Sequence, residues 1–203
     1  MKTKLFLVAG LALALNLTAA PQTFDFKDAK GVNNAVFKLD APLESINGTA
    51  SGISGTVTFD LEKPEATTGK IVVESKSLTV PNPVMKEHMH GEQWLDVAKF
   101  PEISFTAEKL ANVKRDGNNV TADVTGKFTL RGVTKEMTVP VRFTYLKDKL
   151  GERGGGKQGD LLVIRARFNI NRAEFNVNPK APTDKVAEEI EITLSIAGAA
   201  PRS

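Results

Sequence analysis

The chain has 203 residues, with 27 Lys and Arg against 24 Asp and Glu, two histidines and no cysteine. That length reads as one domain after processing, and the missing cysteine excludes disulfides, thiolate chemistry, cysteine-ligated metals and a lipid-modified N-terminal cysteine. The formal charge of +3 drops to +1 once Lys2 and Lys4 leave with the leader described next, so there is no electrostatic footprint for nucleic acid.

Residues 1–19 read as a signal peptide. Lys2 and Lys4 form a basic n-region, residues 5–15 an apolar h-region, and Thr18-Ala19-Ala20 supplies small residues for cleavage. Pro21 disfavours a cut after Ala20, so cleavage after Ala19 is expected. The apolar run is too short to span a membrane. The exported domain, residues 20–198, must then be held by its core alone.

Strand patterns follow. Residues 22–27 alternate Phe24 and Phe26 with polar residues, and residues 33–41 place Phe37 on their dry side. Residues 47–61 carry Ile53, Val57 and Phe59 on one face, with Gly48, Gly52 and Gly55 marking bends or bulges. Residues 70–77 set Ile71 and Val73 against Lys70, Val72 and Glu74. Pro81-Asn82-Pro83 then ends the sheet pattern. Residues 84–94 hold Met85, His88, Met89 and Trp94 at helix-like offsets, with Asn82 as the N-cap and Pro83 at the first helical position.

Residues 102–110 return to alternation, with Ile103 and Phe105 on the dry face, and Asp116-Gly117 is a hairpin turn. The next hairpin is the most regular stretch of the chain. Val124, Phe128 and Leu130 alternate with Thr125, Lys127 and Thr129, Gly132 can take positive φ and close the turn, and Val139, Val141 and Phe143 alternate with Thr138, Pro140 and Arg142. A glycine-rich connecting loop covers 151–159. Ile164 and Phe168 then alternate with Arg165 and Arg167, a polar loop covers 171–184, and the last strand, 186–197, sets Ile192 and Leu194 against Glu191 and Thr193. Residues 199–203 read as a disordered tail.

Eight or nine strands, joined mostly by short turns, present one continuous apolar face that must be hidden. An up-and-down antiparallel barrel of about eight strands with one short inserted helix is the simplest all-β solution, and that size just holds one small ligand. A two-sheet sandwich is the alternative, and the pattern alone does not separate them. Nor does it decide whether the dry face packs solidly or lines a cavity.

Catalytic signals are thin. Residues 151–158 approach a phosphate-binding loop, but Gln158 stands where Ser or Thr should bind magnesium, and a strand follows instead of a helix. His88 and His90 are two apart, so they share no helix face, and the His-x-x-x-His metal spacing is absent. There is no nucleophile elbow, and Asp96 with Glu102 reads as a helix-to-strand junction. No catalytic residue, metal or cofactor is expected.

Three stretches resemble a known family. Gly126-Lys-Phe-Thr-Leu-Arg-Gly-Val-Thr-Lys135 is similar to its G-x-L-T-L-R-G-V-T-K hairpin. Residues 88–105, His-Met-His-Gly-Glu-Gln-Trp-Leu-Asp-Val-Ala-Lys-Phe-Pro-Glu-Ile-Ser-Phe, are similar to its H-L-x-S-x-x-F-x-D-V-x-K-Y-P-x-I-x-F segment, and residues 171–175 to a later x-R-x-x-F element. The family is the YceI-like one, bacterial periplasmic polyisoprenoid-binding proteins. Met89 replaces its Leu, Gly91 its Ser, and the first strands lack its H-S-x-V-x-F spelling.

The resemblance implies a lipocalin-like barrel in the periplasm with an apolar tunnel for an isoprenoid, quinone-like or fatty-acyl lipid. The dry-face residues from Phe37 to Leu194 named above, apart from Phe24, Phe26 and Met85 but with Met89 and Trp94, become the candidate wall, and His88 and Arg172 the head-group candidates. For Arg172 a surface salt bridge is the plainer expectation. Partners in view are the lipid, a second copy through a free edge or the helix, and a membrane-associated protein. A filled barrel acting with a membrane redox or stress-response partner is the rival reading.

Overall fold

The computed structural model describes residues 21–28, 30–154 and 156–202. The expected signal peptide lies outside the described residues. The strands are β1 (Gln22–Asp25), β2 (Asn34–Asp40), β3 (Ser45–Ala50), β4 (Ile53–Phe59), β5 (Thr68–Glu74), β6 (Glu102–Asp116), β7 (Asn119–Leu130), β8 (Val133–Leu146), β9 (Gly159–Asn171) and β10 (Glu189–Pro201). Two helices interrupt them, α1 (Pro83–His90) and α2 (Leu150–Arg153).

All neighbouring pairs are antiparallel. The sheet runs β1-β4-β5-β6-β7-β8-β9-β10, and β10 returns to β1 at Ala199↔Asp25, so the sheet closes. β2 lies between β10 and β3. β1 and β2 therefore behave as one interrupted strand along β10, and β3 and β4 as a second, which makes an eight-stranded up-and-down barrel. A sandwich is ruled out by the closing pair.

The interruptions have local causes. Asp28 accepts hydrogen bonds from the backbone of Lys30, Val32 and Asn33, turning the chain between β1 and β2. Burial raises the Asp28 carboxyl, but those donors and Arg153 outweigh it and hold it below its ordinary value. Asn33, fully buried, donates to the carbonyls of Phe26 and Ala197 and accepts from the Ala197 N–H. The stretch expected as a single strand over 47–61 breaks at Ser51-Gly52, and Gly55 (φ +119) lets the β5 backbone approach so closely that a Cβ would stand 2.0 Å from the Lys70 carbonyl oxygen. In the 126–135 hairpin, Gly132 takes φ +74 as expected, and Arg131 beside it takes φ +49.

One end of the barrel is solid. Phe24, Phe26, Val120, Leu162 and Ile196 are at most 1% exposed there, and Phe59 stacks on Phe143 at 5.6 Å between centroids. Three expectations change. The tail is strand through Pro201, because Ala199, Ala200 and Pro201 pair with Leu161, Asp160 and Gly159, and Arg202 then forms ion pairs with Asp148 and Asp160. The glycine-rich connection is partly ordered by α2, whose Leu150 is buried and whose Arg153 donates to Ala197 and pairs with Asp28. The polar loop after β9 opens with a 3-10 turn, Arg172–Phe175, that buries Phe175.

Candidate functional site

The other half of the barrel holds a cavity of about 400 Å³, within the ~300–1,000 Å³ typical of small-molecule sites. Its floor is Val57, Leu110, Val124, Phe143 and Ile164, which belong to the solid end's cluster. Its walls rise through Ile71, Val73, Ile103 and Phe105 on one side and Phe128, Leu130, Phe168, Ile192 and Leu194 on another. Along β7 the lining runs from Val124 to Leu130, about 20 Å at ~3.4 Å per residue.

The mouth is made by elements the sequence pattern treats separately. Asn82 caps α1 by accepting from the N–H groups of Val84 and Met85, with Pro83 at the first helical position. None of the helix's residues is buried, and Met85, His88 and Met89, at i, i+3 and i+4, face the cavity as one stripe. Trp94 follows, beyond the helix end. Across the mouth stand Phe37, Leu39 and Ile46 of the β2–β3 hairpin and Val186 from the loop before β10. His90 is held away, with Nε2 2.8 Å from the Leu78 carbonyl. The polar lining is sparse: Glu44 and His88 at the mouth, Thr67 just before β5, Ser104 on β6, and Arg172.

Most of the sequence-derived wall lines this cavity, Val139 and Val141 included. Two residues do not. Ile53 and Phe59 are both buried against other side chains instead: Phe59 stacks on Phe143, and Ile53, paired with Val73 of β5, packs into the same buried cluster. Several lining residues stood outside the candidate wall although the periodicity marks them: Ala35 and Leu39 alternate on the same side as Phe37, and Met85 stands four before Met89. Val186 comes from an irregular loop and left no such signal.

Arg172 is placed differently from either expectation. It is fully buried, so it makes no surface salt bridge. Its Nε donates to Ala187, Nη1 to Val177 and Asn178, and Nη2 to Ala181 and Val186, all backbone carbonyls. A guanidinium has five N–H donors, so none is left for a head group. Burial pushes it below its ordinary value, with Glu188 opposing, and it lies 5.9 Å from the Trp94 ring. Arg172 therefore organises the loop that carries Val177 and Val186 into the lining.

The signature turn does similar work. Arg131 donates from Nη1 to Asn176 at 2.7 Å and from Nη2 to Glu92 at 2.6 Å, while Lys135 pairs with Glu174 at 2.7 Å. The β7–β8 turn thus ties together the segment after α1 and the loop after β9. Among the described residues, no group of three or more His, Asp or Glu is placed to hold a metal ion, and no helix is long and apolar enough to cross a membrane.

A family model described as the YceI-like domain matches residues 24–198. Protein YceI of Salmonella arizonae is 29% identical over 151 residues, covering 74% of this chain and 72% of the relative. Among solved structures, Burkholderia cenocepacia BcnA superposes with a TM-score of 0.65 at 22% identity, over 81% of this chain and 95% of that one. A polyisoprenoid binding domain from Saccharophagus degradans gives 0.63 at 12% identity, over 90% and 100%. With a closed eight-stranded barrel and a family match spanning nearly all of it, this chain belongs to the YceI-like family.

Proposed function

We propose that this protein binds a long-chain apolar lipid, of isoprenoid, quinone-like or fatty-acyl type, and carries or stores it in the periplasm. The carrying observation is the cavity of about 400 Å³ inside a closed barrel, walled by Val, Ile, Leu and Phe, with its few polar groups mostly near one end. Removing apolar surface from water stabilises by roughly 0.8 kcal/mol per methylene, so a long chain binds there without a charged clamp. The Saccharophagus degradans domain of the same fold is a polyisoprenoid binding domain. The leader-like residues 1–19 support export. Binding, not catalysis, is the chemistry that such a wall supplies.

The test is organic extraction of the purified protein followed by mass spectrometry, then titration of the stripped protein with prenyl and fatty-acyl probes. A co-purifying long-chain lipid, or saturable uptake of a probe, is the expected result. No extracted lipid together with no uptake overturns the proposal.

A further inference from the structure

The barrel wall has a seam. The β8–β9 ladder runs from Leu146↔Leu161 to Val141↔Ala166 and stops. Beyond that point, residues 133–140 of β8 pair with β7, and residues 167–171 of β9 pair with β10, but not with each other. The far end of the wedge is closed by the Lys135–Glu174 ion pair. Pro140 stands where the strands part and has no N–H to offer a partner, a usual device on a free edge.

The two faces of this seam differ in chemistry. Outside lies a groove lined by Lys114, Arg142, Arg165 and Arg167. Val141, Ala166 and Leu194 line both that groove and the apolar cavity, so the two spaces share one wall. Arg142 and Arg165 are direct cross-strand partners, a like-charge placement that weakens a ladder. Burial, with Arg142 and Arg153 adding their charge, holds the Arg165 guanidinium below its ordinary value. Arg167 is paired with Glu191, and Asp123, the carboxylate in the groove, takes a hydrogen bond from Asn112. Among the described residues, Arg142 and Arg165 form no ion pair; one Nη of Arg165 donates to the carbonyls of Ile164 and Ile196. The mouth beside α1 is the opposite case: it presents the Glu44 carboxylate, and Arg172 has no donor to spare.

We propose that the β8–β9 seam is the head-group site for an anionic lipid, with a phosphate, diphosphate or carboxylate on Arg142 and Arg165 and the tail passing between the strands into the cavity. This inference rests on the lipid reading above and adds the charge of the ligand and the place of its head. Passage of a chain through the wedge breaks no ladder hydrogen bond, because β8 and β9 share none there.

Stripped protein is titrated with geranylgeranyl phosphate and with geranylgeraniol, read by the fluorescence of Trp94, the single tryptophan, which lines the cavity. Three proteins are compared: wild type, Arg142→Gln/Arg165→Gln, and Lys86→Gln/Lys185→Gln, which removes the same charge near the mouth, from half-buried Lys86 of α1 and exposed Lys185. The seam variant is expected to bind the phosphate at least tenfold more weakly and the alcohol unchanged, while the mouth variant binds both as wild type does. Equal loss of both probes, no loss of the phosphate, or a larger loss in the mouth variant overturns the seam site. Wild type that binds the alcohol but not the phosphate overturns this inference alone, and wild type that binds neither overturns the lipid reading with it.

Discussion

At the residue scale, buried Arg172 and the contact of half-buried Tyr145 with buried Asp160 set measurable behaviour. Arg172 satisfies five loop carbonyls, so Arg172→Ala leaves several buried acceptors without partners. Since hydrogen bonds to charged groups contribute ~1.5–3 kcal/mol each, a loss of at least about 3 kcal/mol in urea unfolding is expected; unfolding unchanged within about 0.5 kcal/mol would contradict the organising role. Tyr145, at the solid end, donates its hydroxyl proton to Asp160 at 2.8 Å. Burial first, then the Asp160 contact, pushes its pKa up to about 12. It is the sole tyrosine, so the phenolate absorbance of the folded protein should rise near pH 12 instead of the ordinary ~10, and Asp160→Asn should bring it down. Because the folded value is raised, this group's stabilisation is complete below pH ~10 and lost as pH climbs toward 12. Burial raises Asp160 itself, but the Asp148 N–H, the Tyr145 hydroxyl, Gln22 and Arg202 outweigh that and hold it below its ordinary value. Its contribution is therefore present above pH ~4 and lost as pH falls below that. None of this was legible in the sequence. Arg172 was singled out only through a motif, and its partners are carbonyls of a loop without pattern.

At the element scale, α1 is the least anchored part of the site. It has eight residues and no buried one, far below the length at which a helix is stable by itself. Its cap was readable, since Asn82 before Pro83 is a local signal and local hydrogen bonds satisfy it. Asn82→Ala should cost about 1 kcal/mol, confined to the helix. Amide exchange in residues 84–90 should quicken roughly fivefold and probe release from the cavity should speed up, with β7 and β9 unaffected. Unchanged exchange in α1 would show that the mouth is held by contacts other than the cap. Strand parity was equally readable, because on strands such as β7 and β10 alternate residues face the cavity. It held on β4 as well, where Ile53, Val57 and Phe59 are all buried, yet of the three only Val57 lines the cavity. Parity says which side of the sheet a residue faces, not whether a side chain such as Phe143 or an open space meets it there.

At the scale of the whole molecule, what separates a carrier from a packed barrel is empty volume. Ile71→Trp inserts a large side chain from β5 into the cavity. With space available, the variant should keep the wild-type melting temperature within a few degrees and lose at least tenfold in probe affinity. In a filled core, such overpacking costs about 1–3 kcal/mol, so a large fall in melting temperature would count against the cavity. The sequence by itself determined the antiparallel class, the dry face, the capped helix and the family signature, because each is written in neighbours a few residues apart. Only the tertiary structure decided that the sheet closes through Asp25 and Ala199, that one end is solid while the other is hollow, and that β8 and β9 part at Val141. Those outcomes depend on which distant strands meet and how their side chains share the interior, and volume inside a closed barrel leaves no periodic trace along the chain.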